Sequence, residues 1–291
     1  MTKLAIITVT YNSASVIEPF LQALLAQDYP HWQLYLIDSA SSDSTMQQIA
    51  RYADSRIRLL PQVQNIGFAA GNNLAIQQAI IDGCDEFLLI NNDTEFAADF
   101  LSILLAQRHK YPSEVLTPKI YYYNPINTIW SAGGGFKPRH AWAAYHLGEN
   151  EIDLGQYDRD SVCEFVPMCC VLIPLSAWLK VGELDAKYFI YSEDADWFYR
   201  AKLAKICLHY CYEPVLYHKV SSLTGGSKSY SGAYYGSRNR VYFMCKHFAG
   251  WQRVVYLSKY FVGMFVALVT KKYTWQEFCW RLPAFFKGIK L

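Results

Sequence analysis

The sequence predicts an α/β protein built on a mostly parallel sheet, and three observations carry that prediction. Short apolar, β-branched runs alternate with helical patterns through the first 120 residues, the polar residues gather just after the strand-like runs, and no linker interrupts the rhythm. A chain of 291 residues can bury a sizeable core, and a composition 52% hydrophobic and 16% aromatic belongs to a globular protein rather than a disordered one.

Taken in order, the strand candidates are 4–9, 33–37, 57–60, 87–90 and 115–117, each a run of Leu, Ile, Val, Phe or Tyr. Helical patterns lie between them, over 15–26, 44–52, 69–81 and 97–109. Strand, helix, strand repeated this regularly implies right-handed crossovers. Ligands of such sheets bind beyond the carboxyl ends of the strands. Thr10, Tyr11 and Asn12 stand there after the first strand, Asp38 and Ser39 after the second, and Asn91, Asn92 and Asp93 after the fourth.

From about Tyr121 the rhythm breaks into aromatic and glycine-rich stretches, then an apolar run over 166–173 and helical patterns at 175–181 and 194–204. This reads as a second, mixed half (121–245) that completes the sheet begun by 1–120. Residues 246–291 form a separate, basic and aromatic extension. Eight Lys or Arg stand there against one acid, Glu277, so the extension carries +7 and the rest of the chain −5. Such a tail suits an anionic surface, and no nucleic-acid-binding motif accompanies it. Its apolar run, 254–269, contains Ser258 and Lys259 and is short for a membrane span. It reads either as a helix lying in a membrane interface or as a core helix.

The eight cysteines are scattered and no secretory leader is legible before Leu4, so the expectation is a cytoplasmic protein with free thiols. Cys207, His209 and Cys211 alternate, which on a strand places them on one face; a buried face accounts for this better than zinc, whose cysteine pairs usually come as C-x₂-C.

The chemistry-bearing candidates each have two readings. Asp93, at the end of an apolar strand, can hold a hard divalent cation or cap the next helix. Asp38 can accept a hydrogen bond from a base or ribose, or simply shape a turn. Gly67 and Gly71, in Asn65-Ile66-Gly67-Phe68-Ala69-Ala70-Gly71-Asn72-Asn73, permit close backbone approach at a helix start, where free N–H groups meet negative charge. Glu193, Asp194 and Asp196 follow an aromatic run and open a helix. Three acids in four residues exceed what one cap requires, although the macrodipole also favours them there. On that turn Glu193 and Asp194 can face a cleft as a general base, while Asp196 points away and pairs with Arg200. His218 ends a strand-like run as a ligand or a hydrogen-bonded histidine, and Arg238 can meet a phosphate or solvent.

The order of these pieces is more specific than any one of them. Val9-Thr10-Tyr11-Asn12, Ile37-Asp38-Ser39, Asn65-x-Gly67-Phe68-x-x-Gly71-x-Asn73, Asn91-Asn92-Asp93-Thr94, Glu193-Asp194-x-Asp196, His218 and Arg238-Asn239 together resemble the family 2 glycosyltransferases, over roughly 4–245, with the rhamnosyltransferase-like bacterial branch the nearest in pattern. The resemblance implies the GT-A fold, a Rossmann-like mixed sheet flanked by helices, and sugar transfer from a nucleotide diphosphate with inversion. It implies that Thr10, Tyr11, Asn12 and Asp38 hold the nucleoside, with Asn65 and Gly67 close by, and that Asn73, Asn92 and Arg238 complete the donor site. Asp93 matches the last acid of a D-x-D motif whose first position is Asn91 here. With His218 it would hold Mg²⁺ or Mn²⁺. Asp194 matches the catalytic base, supported by Glu193. The implied partners are a dTDP- or UDP-linked sugar, a glycan or lipid-linked glycan acceptor and the inner face of the membrane, but no nucleic acid. A nucleotidyltransferase is the rival enzyme, but it would carry a glycine-rich phosphate loop after the first strand, where Thr10-Tyr11-Asn12-Ser13 stands instead. A non-catalytic protein that binds nucleotide or sugar on the same fold is the other alternative.

Overall fold

The computed structural model describes residues 3–220, 225–226 and 228–291. Its first half alternates as the sequence predicts: β1 (Leu4–Thr10), α1 (Ile17–Leu25), β2 (Trp32–Asp38), α2 (Thr45–Ile49), β3 (Ile57–Pro61), α3 (Gly67–Ile81) and β4 (Glu86–Ile90). These four strands pair in parallel in the order β4-β1-β2-β3. Successive side chains of β1 serve opposite faces: Ile6 packs among Phe20, Leu24 and Leu34, and Ile7 among Tyr35, Ile76 and Leu89. A strand buried on both sides must be apolar throughout, which is why these runs show little alternation. Burying a side chain of this size contributes about 1.5–3 kcal/mol. α1 buries Ile17, Phe20, Leu21 and Leu24, one helical face. α3 lies close to β1, because a Cβ on Gly71 would sit 2.8 Å from Val9 Cγ2.

The second half is mixed. β5 (Thr94–Phe96), α4 (Phe100–Lys110), β6 (Val115–Tyr122) and β7 (Ile129–Ser131) are followed by a separate two-stranded hairpin, β8 (Gly134–Lys137) and β9 (Ala143–His146). Then come β10 (Ser161–Cys163), β11 (Cys170–Pro174), α5 (Leu175–Val181), α6 (Glu193–Leu203) and β12 (Leu208–His218). β11 inserts antiparallel between β4 and β6, β12 runs parallel to β6, and β10 closes the edge, extending the sheet to β10-β12-β6-β11-β4-β1-β2-β3. Two stretches differ from the sequence reading. The apolar run at 166–173 forms strand only from Cys170. β12 is longer than expected and passes through Pro214, where its register against β6 shifts between Tyr210 and Val215. Proline donates no ladder hydrogen bond, so an irregularity is where it can be tolerated.

The chain ends in three helices, α7 (Tyr230–His247), α8 (Gly250–Val269) and α9 (Trp275–Ile289). α9 opens with a capping box between Thr274 and Glu277 and seats closely on α7, since a Cβ on Gly288 would lie 2.2 Å from the Arg238 carbonyl oxygen. α8 starts four residues before its apolar run and reaches 20 residues, enough by length and composition to cross a membrane. Only Met264 of it is buried, so it is no core helix. One face nonetheless rests on the body through Tyr260, whose hydroxyl lies 3.1 Å from Ser237, and Phe261, whose ring meets Phe285.

Candidate active site

The carboxyl ends of β1, β2 and β4 and the start of α3 meet the 188–192 segment around a cavity of about 170 Å³, lined by Tyr11, Ser39, Asn65, Gly67, Asp93 and Ile190 among others. Asp38 is buried next to the lining residue Ser39 and does not itself line the cavity. Thr10 Oγ1 donates to Asp38 Oδ1 at 2.9 Å, and Ser41 donates from both its hydroxyl and its backbone N–H. Asn12 takes a left-handed conformation that asparagine tolerates, and its side-chain oxygen accepts from the Ser42 N–H at 2.8 Å. The loops after β1 and β2 are thereby stapled together, while the ring of Tyr11 stays 47% exposed at the rim.

Gly67 explains itself here. Its φ is +79°, and a Cβ would stand 2.6 Å from the Phe189 carbonyl oxygen. That oxygen accepts from the Phe68 N–H at 2.7 Å, and the Gly67 N–H donates to Asn65 Oδ1. The start of α3 is therefore clamped to the 188–192 segment.

Asp93 and His218 come together across strands distant in sequence. β12 pairs antiparallel with β5, setting His218 opposite Thr94, so that His218 Nε2 lies 3.2 Å from Asp93 Oδ1. Both residues are buried, Trp130 packs its edge on the imidazole, and His218 Nδ1 has no hydrogen-bond partner among the described residues. One oxygen and one nitrogen donor converging at a strand end suit Mn²⁺ or Mg²⁺.

The acid-bearing turn is held in an unusual shape. Phe189, Tyr191 and Ser192 all have φ near +67°, each costing on the order of 1–3 kcal/mol for a residue other than glycine. The buried amide of Asn239, on α7, compensates by donating to the carbonyls of Tyr188, Ile190 and Tyr191 at 2.6–2.9 Å. Arg238 adds bonds to the carbonyls of Lys187 and Tyr188. α6 opens from this turn with Glu193 and Asp194. Burial raises the Asp194 carboxyl to about 6, against backbone N–H bonds that lower it. Burial and then the neighbouring Asp194 charge raise Glu193 to about 8, and Glu193 Oε2 has no partner among the described residues. The buried Cys169 thiol is pushed up by burial, then by Cys170, Asp93 and Asp194, so both carboxylates act electrostatically on one buried group. Asp196 points into the protein as expected. Burial opposes its ionisation, but His247, Arg200 and Lys246 outweigh that and hold it well below the usual carboxylate range.

Several expected donor-site residues brace the cleft instead of presenting free side chains to it. Asn73 bridges the backbone N–H and C=O of Leu184, Asn92 donates to the Val9 carbonyl, and the Arg238 guanidinium turns to the carbonyls just named. Their polarity was legible and their direction was not. Asn239 carries more of the site than the sequence suggested; a buried asparagine next to an arginine on a helix gives no local signal of it. The alternating Cys207, His209 and Cys211 lie at the opposite end of β12 from His218. Cys211 is buried, whereas Cys207 and His209 are half-buried and share their donor atoms with Glu114 within 4.8 Å. All eight cysteines are free thiols.

Comparison with known proteins agrees with this architecture. An N-acetylglucosaminyl-diphospho-decaprenol L-rhamnosyltransferase of Mycobacterium tuberculosis is 26% identical over 281 residues, covering 86% of each chain. Among solved structures, S. aureus TarS 1–349 in complex with UDP superposes with a TM-score of 0.60 at 16% identity, covering 99% of this chain and 81% of that one. The mannosyltransferase PcManGT from Pyrobaculum calidifontis in complex with GDP-Man and Mn²⁺ gives 0.60 at 15% identity, covering 99% and 87%. At these identities the structures show the shared GT-A fold. The family model for glycosyl transferase family 2 matches residues 5–170, more than half of the chain, and the protein belongs to that family.

Proposed function

We propose that this glycosyltransferase moves a hexose or deoxyhexose, such as rhamnose, from a dTDP- or UDP-linked donor to a hydroxyl of a lipid-linked or other glycan acceptor, with inversion, during bacterial surface polysaccharide synthesis. The observation that carries the reading is the meeting of Asp93 and His218 at 3.2 Å beside the cavity that Asp93 lines, with Asp194 in electrostatic reach of the same buried Cys169 as Asp93. The M. tuberculosis relative, whose name specifies a lipid-diphosphate acceptor and a rhamnosyl group, supports the choice of substrates.

In this reading Thr10, Tyr11, Asn12 and Asp38 form the nucleoside end, and Asn65 and Gly67 lie beside the diphosphate, although the Gly67 and Phe68 N–H groups are already bonded to Asn65 and the Phe189 carbonyl. Asn73, Asn92 and Arg238 act through the backbone they hold. Asp93 and His218 would hold Mg²⁺ or Mn²⁺, which when bound supplies positive charge for the departing nucleoside diphosphate. Asp194 takes the proton of the acceptor hydroxyl as that oxygen bonds to the anomeric carbon and the carbon–phosphate oxygen bond breaks on the far side. Its raised pKa makes it a stronger base than an ordinary aspartate, while it is still ionised near neutral pH. Glu193, favouring its protonated form, keeps a second negative charge from accumulating beside it.

The test is Asp194→Asn, assayed against a panel of dTDP- and UDP-sugars with Mn²⁺. Turnover is expected to fall about 10²–10⁴-fold with donor affinity nearly unchanged. Activity close to wild type would remove Asp194 from the mechanism.

The body is expected to work at the cytoplasmic face of the membrane. α8 and α9 expose Trp251, Val262, Phe265, Val266, Val269 and Trp275, with Arg253, Lys271 and Lys272 nearby, the composition of an interfacial surface.

A further inference from the structure

A second cavity, of about 320 Å³, lies away from the catalytic cleft, between the β8–β9 turn, α7 and α8. Its polar lining is one-signed: Arg139, Arg240 and Lys259 contribute permanent cations, His140 joins them, and no carboxylate lines it. Arg240 is braced rather than neutralised. Its Nη2 donates to the carbonyls of His140 and Ala141, and no acid pairs with it among the described residues. The floor is open at Gly263, where an added Cβ would meet nothing within 4 Å. Grouped cations with no counter-charge, in a partly enclosed space, favour an anionic ligand.

The helix geometry indicates which kind. Tyr256, Lys259, Tyr260, Gly263 and Met264 face the cavity, spaced by three and four residues. Of the exposed apolar residues of the same helix, Val262 and Val266 lie three and seven residues from Lys259 on its flank, and Phe265 and Val269 lie farther round, away from the cavity. With that apolar side set into a bilayer interface, Lys259 at its border stands at the level of lipid headgroups. The β8–β9 turn that forms one wall belongs to a hairpin whose other end reaches the catalytic region: His146 packs on Trp130, and Trp130 on His218. With about 3.3 Å per strand residue, His146 stands about 15 Å from that turn.

We propose that this cavity binds the phosphate or diphosphate of a lipid at the membrane surface, Arg139, Arg240 and Lys259 meeting the anion while the hydrocarbon stays in the bilayer. Under the function proposed above, on which this assignment of the ligand rests, the source is the diphosphate of the lipid-linked acceptor; a phospholipid headgroup shares the chemistry.

The full chain is titrated, without divalent cation, with farnesyl diphosphate, farnesol and inorganic pyrophosphate by tryptophan fluorescence, and with phosphatidylcholine vesicles with and without phosphatidylglycerol by co-sedimentation. Two variants probe the cavity, Arg139→Glu/Lys259→Glu by charge and Gly263→Leu by filling it without changing charge. Arg159→Glu/Lys180→Glu, exposed positions outside both the cavity and the α8–α9 surface, controls for unspecific attraction. Farnesyl diphosphate is expected to bind wild type more tightly than farnesol or pyrophosphate, and at least about tenfold more weakly to both cavity variants. The control should retain wild-type affinity. Loss confined to phosphatidylglycerol vesicles, in both cavity variants and not in the control, assigns the site to a headgroup and sustains it. Equal losses in cavity and control variants, or none in either cavity variant, overturn it. UDP binding with Mn²⁺ is measured in parallel: its persistence in the variants shows an intact fold, and its failure in wild type counts against the donor reading alone.

Discussion

Replacing Asn239 by alanine tests whether the acid-bearing turn is held from outside. The Asn239 side chain is fully buried, and its one amide nitrogen serves three carbonyls, those of Tyr188, Ile190 and Tyr191. Its two hydrogens cannot make three full-strength bonds, so the loss is closer to two, each contributing about 0.5–1.5 kcal/mol net, plus the cost of carbonyls left without a partner. A destabilisation of about 2–3 kcal/mol follows, which in a protein of this size lowers Tm by roughly 3–5 °C. The effect on turnover is larger than stability alone implies. Three non-glycine residues between 189 and 192 hold left-handed angles that relax when the amide is gone, moving Asp194 with them. A displacement of about 1 Å at a reacting group costs about 10²-fold in rate. The assay is kcat and KM for donor at a temperature well below the variant's Tm, with UDP affinity measured separately. The expected pattern is a low kcat with donor affinity within a few fold of wild type. A variant with lowered Tm and normal kcat would refute the positioning role, because the turn would then keep its shape unaided.

Four further outcomes can be checked. Asp93→Ala should weaken UDP and Mn²⁺ binding together in calorimetry; unchanged affinity for both would remove Asp93 from any metal site. Activity should rise with pH through about 6 as Asp194 ionises, and a rate independent of pH between 5 and 8 would contradict a carboxylate base. Glu193 has a folded pKa raised above its unfolded one, so its contribution to stability is present at low pH and lost as pH rises toward about 8. Glu193→Gln should therefore leave Tm unchanged at pH 4 and raise it at pH 8, and the opposite trend would reverse the sign assigned here. Val262→Glu/Val266→Glu should reduce co-sedimentation with phosphatidylglycerol vesicles at unchanged Tm. Substitution is preferable to truncation, since α9 seats Gly288 against the Arg238 backbone and its removal would strip α7.

The sequence by itself determined the alternation of β1 through β4, and with it the placement of Thr10, Asp38 and Asp93 at strand ends. A strand buried on both faces has to be written as an apolar run, and the first polar residue after it marks the sheet's edge. The GT-A assignment followed from the order of these strand-end residues. Tertiary structure decided what local pattern could not encode. Asp93 and His218 meet because β12 returns antiparallel beside β5, a pairing between segments more than a hundred residues apart. The direction of a polar side chain is likewise set by whichever backbone group lies within reach, so Asn73, Asn92 and Arg238 turned to carbonyls and Asn239 became the brace of the acidic turn. The extension shows the same division: its charge and aromatic content were readable, but which face of α8 rests on the body depends on α7 and α9 packing beside it.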